Sequence, residues 1–211
     1  MNETESNRRP IAARGSAWAQ RFATALARSA VTPNQISVAS VVFAAVGAAL
    51  LIQWPTAAGL IFCALCIQLR LICNLLDGMV AMEGGKASPV GKIYNEFPDR
   101  VADSLLIVAA GYACGYPWLG WLGALLAALT AYVRVFGGSL GFSQDFRGPL
   151  AKQQRMAVLT IACVLGAGET FWHPERDALL LAAALIAVGS LVTCITRTRV
   201  IAAQLRAEGS R

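Results

Sequence analysis

The sequence predicts an all-α integral membrane protein, a bundle of six transmembrane helices with an amphipathic helix at the membrane interface before it. The composition is the first reason: of 211 residues, 56% are hydrophobic and only 14% are charged, whereas an ordinary soluble domain has about 25% charged residues. The second is that the apolar residues form six stretches close to the roughly 20 residues that a helix needs to cross a bilayer. The third is that most basic residues lie outside these stretches. A disordered chain and a water-soluble enzyme are both excluded.

The six stretches are expected to be helices, because backbone amides in lipid must be hydrogen-bonded within their own segment. Residues that favour turns separate several of them, such as Trp54-Pro55 and His173-Pro174. Thr32-Pro33 predicts the start of the first helix, with threonine as cap and proline at the first helical position. The predicted spans are 35–53, 57–82, 100–116, 118–140, 156–172 and 177–196.

The N-terminal segment is not expected to be a cleavable signal peptide, because no apolar run followed by a small-residue cleavage site is present. Residues 11–28 instead fit an interfacial amphipathic helix, with Trp18 and Phe22 toward lipid and arginines toward the headgroups. The predicted organisation is a cytosolic N-terminal segment over 1–30, a six-helix domain over 31–198 and a cytosolic tail over 199–211.

The distribution of basic residues predicts the orientation. Most of the 18 Lys and Arg residues fall before the first span, on the second and fourth connections, and after the last span. The positive-inside bias therefore places both termini on the cytosolic side of what is expected to be a bacterial inner membrane. The same bias explains the net charge of +6, so no nucleic-acid partner is expected. The six scattered cysteines are expected to be packing residues.

Polar and ionisable residues, which are energetically unfavourable within a membrane span, are concentrated at the end of the second span and the start of the third. Asn74 and Asp77 share a helix face, and Asn95, Asp99 and Asp103 share another, since each set is spaced by three or four residues. A short connection makes the two helices antiparallel. The two rows of oxygen-bearing side chains are therefore expected to face each other near the cytosolic edge.

Hard oxygen side chains in this arrangement suit Mg²⁺, Mn²⁺ or Ca²⁺, and no soft ligand accompanies them. The small residues Gly78 and Ala81 leave room for a bulky ligand beside the backbone. The alternative is that these polar residues only cap helix ends and solvate a loop. Buried Arg70, Asp103 and Arg134 are expected to form an internal structural ion pair, because a lone charge in a span is costly.

The polar region resembles the signature of the CDP-alcohol phosphotransferases, D-x-x-D-G-x-x-A-R, eight residues, then G-x-x-x-D-x-x-x-D. The spacing is kept throughout, and weaker similarity covers roughly residues 30 to 160. The corresponding positions here are Thr32-Pro33-Asn34, Asn74, Asp77-Gly78, Ala81, Met82, Gly91, Asn95, Asp99, Tyr132-Val133-Arg134 and Gly148-Pro149-x-x-Lys152-x-x-Arg155.

The resemblance implies a membrane transferase of phospholipid biosynthesis, which moves a phosphatidyl group from a CDP-linked lipid such as CDP-diacylglycerol to an alcohol with release of CMP. It implies Mg²⁺ or Mn²⁺ as cofactor, Asp99 as base toward the acceptor hydroxyl, and a possible homodimer. The implied metal ligands are Asn74, Asp77, Asn95 and Asp99. The implied nucleotide and substrate contacts are Asn34, Gly78, Ala81 and Gly91, with Arg134, Arg147, Lys152 and Arg155 as candidates for the acceptor.

Three positions depart from the signature. Asn74 and Asn95 stand where the family has aspartate, and Met82 stands where it has arginine. In the family four carboxylates hold two divalent cations, so the number of ions here, one or two, stays open. A catalytically impaired member that binds lipid or nucleotide is the alternative, and a transporter is less favoured because the polar groups cluster on one side. The acceptor, whether glycerol phosphate, serine or an inositol phosphate, also stays open.

Overall fold

A computed structural model describes residues 15–172 and 176–209; from Ala17 on the helices are α-helices, and the described residues contain no strand. The start of the N-terminal segment and His173 lie outside the described residues. The seven helices are α1 Ala17–Arg28, α2 Pro33–Gln53, α3 Ala57–Glu83, α4 Gly91–Ala113, α5 Pro117–Ser139, α6 Lys152–Glu169 and α7 Asp177–Gly209.

The helix boundaries follow local signals in the sequence. Thr32 caps α2 by accepting from the backbone N–H of Gln35, whose side chain in return accepts from the N–H of Thr32, a capping box. Thr56 caps α3 by accepting a hydrogen bond from the backbone N–H of Gly59. The backbone N–H of Ala178, at the start of α7, is bound by the Glu169 carboxylate. The structure thus confirms the predicted start of the first long helix.

Four of the described helices, α2, α3, α5 and α7, are long and apolar enough to cross a membrane. The chain is accordingly an integral membrane protein. Helices α4 and α6 overlap the other two predicted spans but carry charged residues toward their N-terminal ends, among them Asp99, Asp103 and Arg155. Six spans therefore stays a prediction. Two helices also extend beyond the predicted spans, α4 beginning at Gly91 and α7 continuing to Gly209.

The packing order of the helices leaves a space where the polar residues meet. Helix α2 packs on both α3 and α4, α3 packs on α6, α4 on α5, and α7 on both α5 and α6. Helices α3 and α4 have no comparable packing of their backbones on each other. The predicted pair of helices therefore faces across a gap rather than in direct contact, and long side chains from α3 and α6 reach into it.

Two close approaches hold this frame together. Helices α4 and α5 cross at Gly111 and Gly120, where an added Cβ on Gly111 would lie 2.6 Å from the Cα of Gly120. The 140–151 connection is held against α7 because Gly148 has a φ of +128°, a conformation that favours glycine. There the backbone N–H of Leu150 donates to Thr193 Oγ1 at 3.3 Å.

Candidate active site

Asp77 lies on α3 at the gap and is 5% exposed. Its Oδ2 accepts a 2.6 Å hydrogen bond from the hydroxyl of Ser37 on α2, which fixes the carboxylate. No described side chain donates to its buried Oδ1, and the Nδ2 of Asn74, one turn away, is likewise buried without a partner. Buried polar atoms are rarely left unpaired, so these two side chains indicate a missing ligand.

Asp99 lies on α4 within electrostatic range of Asp77, and its side chain is 14% exposed. Three basic side chains surround it. Lys152, from the first turn of α6, forms an ion pair with Asp99 Oδ2, and the Arg100 guanidinium is 3.6 Å from the same oxygen. Arg70, from α3, is 3.8 Å from Oδ1. Three helices thus meet at one carboxylate.

Asp103, one turn further along α4, forms the buried centre of an ion network. Its Oδ1 accepts from Arg70 at 2.5 Å and its Oδ2 from Arg155 at 2.9 Å. The predicted pairing of Arg70 with Asp103 is confirmed, but Arg134 is not part of it. Arg155, which the resemblance implied as an acceptor contact, is 1% exposed and also donates to the carbonyl of Leu150 at 2.8 Å.

Arg134 belongs to a second cluster nearer the surface. Its Nη2 donates to both carboxylate oxygens of Glu96, at 2.6 and 2.7 Å, and its Nη1 donates to Gln144 at 2.5 Å. The guanidinium carbon lies 5.4 Å from the centroid of the Phe146 ring. The expected ion pair of Arg134 with Arg70 and Asp103 is therefore wrong, because Glu96, at the start of α4, is the acid that Arg134 reaches.

Beside this cluster the 140–151 connection and the C-terminal half of α7 enclose a cavity of about 440 Å³, lined by Arg134, Asp145, Arg147 and Arg197 among others. Arg147 is exposed and pairs with Asp145 at 3.0 Å. Partial burial alone would raise the pKa of Asp145, but hydrogen bonds from Arg147 outweigh it and lower the pKa. Arg197 is 4% exposed and donates to the backbone carbonyl of Arg147 at 2.8 Å. The cavity therefore has three arginines and suits an anion.

The remaining predicted residues lie near the ends of α2, α3 and α4. Asn34, at the start of α2, donates to Ser88 at 3.5 Å, which joins the α3–α4 connection to α2. Gly78 and Ala81 lie on α3 after Asp77, and Gly91 begins α4. Asn95 is exposed, one turn before Asp99, and nothing in the described contacts links it to Asp77.

Sequence reasoning missed three residues of this site: Ser37, Glu96 and Arg197. Ser37 carried a usable signal, since it lies one helical turn after Asn34 and would share its face. Glu96 and Arg197 carried none, because their partners come from other helices and depend on how those helices cross.

The site offers a metal ion fewer carboxylates than the family signature does. Among the described residues, no three His, Cys, Asp or Glu side chains converge as a metal site, because positions 74 and 95 are asparagine. Asp77 Oδ1 and the amide oxygen of Asn74 remain as hard oxygen ligands beside the gap, with Asp99 across it. They fit one divalent cation that completes its coordination with water or substrate oxygens.

Comparison with known proteins identifies the family. The family model of the CDP-alcohol phosphatidyltransferases matches residues 30–196. The chain belongs to the CDP-alcohol phosphatidyltransferase family. It is thus a transferase of phospholipid biosynthesis, and the family's reaction moves a phosphatidyl group from a CDP-linked lipid to an alcohol. This finding favours an active CDP-alcohol phosphatidyltransferase over the impaired alternative.

Two curated members of the CDP-alcohol phosphatidyltransferase family resemble most of the chain. The archaetidylinositol phosphate synthase of Aeropyrum pernix is 30% identical over 191 residues, 89% of this chain and 92% of that protein. The phosphatidylinositol phosphate synthase of Streptomyces avermitilis is 28% identical over 186 residues, 83% of this chain and 74% of that protein.

The fold is also that of solved structures from the family. The Mycobacterium tuberculosis phosphatidylinositol phosphate synthase with CDP-DAG bound has a TM-score of 0.74 and 17% identity, and the match covers 88% of this chain and 94% of that one. The same enzyme in complex with manganese and citrate has a TM-score of 0.73 and 19% identity, covering 87% of this chain and 88% of that one.

Proposed function

We propose that this transferase moves the phosphatidyl group of a CDP-diacylglycerol-type lipid to an inositol phosphate. The observation that carries the proposal is the meeting of Asp77 and Asp99 across one gap beside a cavity with three arginines. The acceptor is argued from the relatives, since both proteins matched over most of their length are synthases of inositol phosphate lipids.

Asp99 is the proposed general base. The acceptor hydroxyl gives its proton to an Asp99 carboxylate oxygen as its own oxygen forms a bond to the phosphatidyl phosphorus. The bond from that phosphorus to the CMP oxygen breaks, and CMP leaves with the bonding electrons. A base must lie within hydrogen-bond reach of the proton it removes. The partial exposure of Asp99 at the gap leaves room for that approach.

Asp77 and Asn74 are the proposed ligands of Mg²⁺ or Mn²⁺, with Asp99 and Asn95 nearer the reacting groups. When bound, the ion would supply charge neutralisation to the diphosphate. Ser37 holds the Asp77 carboxylate in one orientation. Asn34, Gly78, Ala81 and Gly91 are the proposed frame for the nucleotide.

The acceptor phosphate is proposed to bind in the cavity, with Arg134, Arg147 and Arg197 as its positive groups. Arginine is suited to this task because its planar fork matches two phosphate oxygens. The buried Arg155 is proposed not to contact the acceptor phosphate directly, but to hold Asp103 in place through its hydrogen bond.

We further propose six membrane spans, with both termini and the site on the cytosolic side of a bacterial inner membrane. Basic residues on the cytosolic connections support this orientation. Helix α1 supports an interfacial position, because Trp18 and Phe22 are exposed while Ala19 and Ala23 pack against α3. A homodimer is proposed on the resemblance alone.

The test is CMP release by the purified protein with CDP-diacylglycerol, Mg²⁺ or Mn²⁺, and a panel of acceptors. We expect release with inositol phosphate and little with inositol, serine or glycerol phosphate. Equal release with an acceptor that lacks phosphate would contradict the acceptor assignment. No release with any acceptor or metal would contradict the activity itself.

A further inference from the structure

The side chains around the gap have a net positive charge even without a metal ion. Asp99 faces Arg70, Arg100 and Lys152, and Asp103 faces Arg70 and Arg155. These four cations stand against three carboxylates, counting Asp77, which leaves a net charge of +1. The two asparagines, Asn74 and Asn95, contribute no charge.

One divalent cation would raise this balance to +3, and the diphosphate of a CDP-lipid, with one ionised oxygen on each phosphate, would lower it to +1. A second divalent cation would leave +3 in a partly buried space, where like charges repel strongly. The described side chains therefore fit the diphosphate with one ion, and a second ion would lack compensating carboxylates.

Lys152 and Arg100 are the basic residues at the gap that can meet the diphosphate. Both pair with Asp99 Oδ2, and their side chains are 15% and 24% exposed, whereas Arg70 is fully buried beneath Asp103. Lys152 is also the first residue of α6, whose N-cap, Ala151, has no side chain that could bind the free amides. A cation at a helix N-terminus is unfavourable for the helix itself, so Lys152 does not serve to stabilise α6.

An anion at the start of α6 would bind both the uncapped backbone amides and the Lys152 ammonium. The amides at the start of a helix attract phosphate, and a lysine ammonium binds phosphate as a point charge. Asp99 holds that ammonium at the gap, where the buried Nδ2 of Asn74 is a further N–H donor without a hydrogen-bond partner.

We propose that Lys152 supplies, at the donor diphosphate, the positive charge that a second divalent cation would otherwise supply, so that the chain binds one metal ion. This inference rests on the proposed function, because it assumes a diphosphate donor. It assigns Lys152 to the donor rather than to the acceptor that the resemblance implied.

The first test counts ions in the unmodified protein. Mn²⁺ is titrated into the full chain in lipid nanodiscs with saturating CDP as the probe, and the free-ion signal is followed by electron paramagnetic resonance. We expect one Mn²⁺ per chain. Two ions of comparable affinity would overturn the inference.

The second test separates donor from acceptor binding. In Lys152→Met we expect CDP affinity at saturating Mn²⁺ to fall at least tenfold, and in Lys152→Arg to stay within about threefold of the unmodified protein. Arg199→Met is the matched control, since Arg199 is an exposed cation on α7, and its CDP affinity should not change. Unchanged CDP affinity in Lys152→Met, with weaker binding of inositol phosphate, would overturn the inference.

The third test restores the missing charges. A triple variant with Asn74→Asp, Asn95→Asp and Lys152→Met is expected to bind two Mn²⁺ ions, and a single ion would overturn the inference. A thermal melt confirms that each variant is folded. All three readouts are binding measurements, so a failure of CMP release would refute the proposed function alone, while two ions in an active protein would refute this inference alone.

Discussion

Two aspartates of the same site have opposite surroundings, and the difference suggests their roles. Asp77 is buried, has a hydroxyl partner, and has no ion pair among the described residues. Asp99 is partly exposed and faces three basic side chains. A carboxylate with an unsatisfied buried oxygen is suited to a cation, whereas one at an open edge is suited to a substrate hydroxyl.

Asp99→Asn tests the base assignment with little change of shape. We expect kcat for CMP release to fall by about 10²- to 10⁴-fold, the usual contribution of a positioned base. Glu208→Gln, which removes an exposed carboxylate at the end of α7, is the control. A kcat within threefold of the unmodified protein would show that Asp99 is not the base.

Ser37→Ala tests whether the hydroxyl on α2 positions the proposed ligand Asp77. Loss of a hydrogen bond to a ligand commonly weakens metal binding 10- to 100-fold, so we expect about a tenfold loss of Mn²⁺ affinity. Ser40→Ala is a matched control, because Ser40 is also buried on α2 but donates to the carbonyl of Ser37. Equal affinities in the two variants would argue against a positioning role.

At the scale of residues, the sequence predicted which side chains share a face of one helix, but few of the contacts between side chains on different helices. The helical spacing of Asp99 and Asp103 and the burial of Arg70 followed from local pattern. The partners of Arg134 and Arg155 did not, because which acid each arginine reaches depends on the rotation of α5 and α6 about their axes. Glu96 was closer to Arg134 than the predicted partner Asp103 for that reason.

At the scale of elements, Asp103 ties α3, α4 and α6 together across the gap. Its carboxylate binds Arg70 from α3 and Arg155 from α6, and all three side chains are buried. Such a network contributes little net energy when complete, but removing one partner leaves buried charges unpaired.

Asp103→Asn removes the negative charge with almost no change of volume. Breaking a buried ion pair costs about 3–5 kcal/mol, which corresponds to a Tm lower by roughly 10 °C for a chain of this size. The measurement is a thermal melt in lipid nanodiscs, with Glu208→Gln as control. A Tm within 2 °C of the unmodified protein would show that the two arginines are compensated elsewhere.

The crossing of α4 and α5 depends on two glycines. An added Cβ at Gly120 would lie 2.8 Å from the carbonyl oxygen of Val108, whereas one at Gly168 would meet no atom within 4 Å. Overpacking of this kind costs about 1–3 kcal/mol, so Gly120→Ala should lower the Tm by several degrees. Gly168→Ala, the matched control on α6, should leave it unchanged, and equal Tm values would contradict the close crossing.

Hydrophobic stretches predicted the long helices to within a few residues, but not where two of them extend beyond the apolar core. Helix α4 begins nine positions before the predicted span at 100, because its polar first turns are held by Glu96, Asp99 and their partners. Helix α7 continues past 196, with Arg197 buried against the 140–151 connection. Tertiary contacts, not hydropathy, set these ends.

At the scale of the whole molecule, the placement of the site depends on the number of spans. Six spans put the 84–90 and 140–151 connections on one side of the membrane, which is where Asp99, Lys152 and the arginine cavity lie. If α4 did not cross, Gly115 would lie on that same side.

Reporter fusions distinguish these topologies. Alkaline phosphatase fused after Gly115 should be active, because six spans put this turn outside the cytosol, and fusions after Gly85 and Gly141 should be inactive. An inactive fusion after Gly115, together with full expression, would contradict a membrane-spanning α4.

Label transfer from inositol phosphate to lipid is a direct test of whether the protein joins a phosphatidyl group to inositol phosphate. Membranes that contain the protein are incubated with radiolabelled inositol phosphate, CDP-diacylglycerol and Mn²⁺, and the lipid fraction is extracted and counted. As the proposed transferase activity requires, we expect label in the lipid with the unmodified protein and none above background with Asp99→Asn. Label at the same level in both, or in neither, would contradict it.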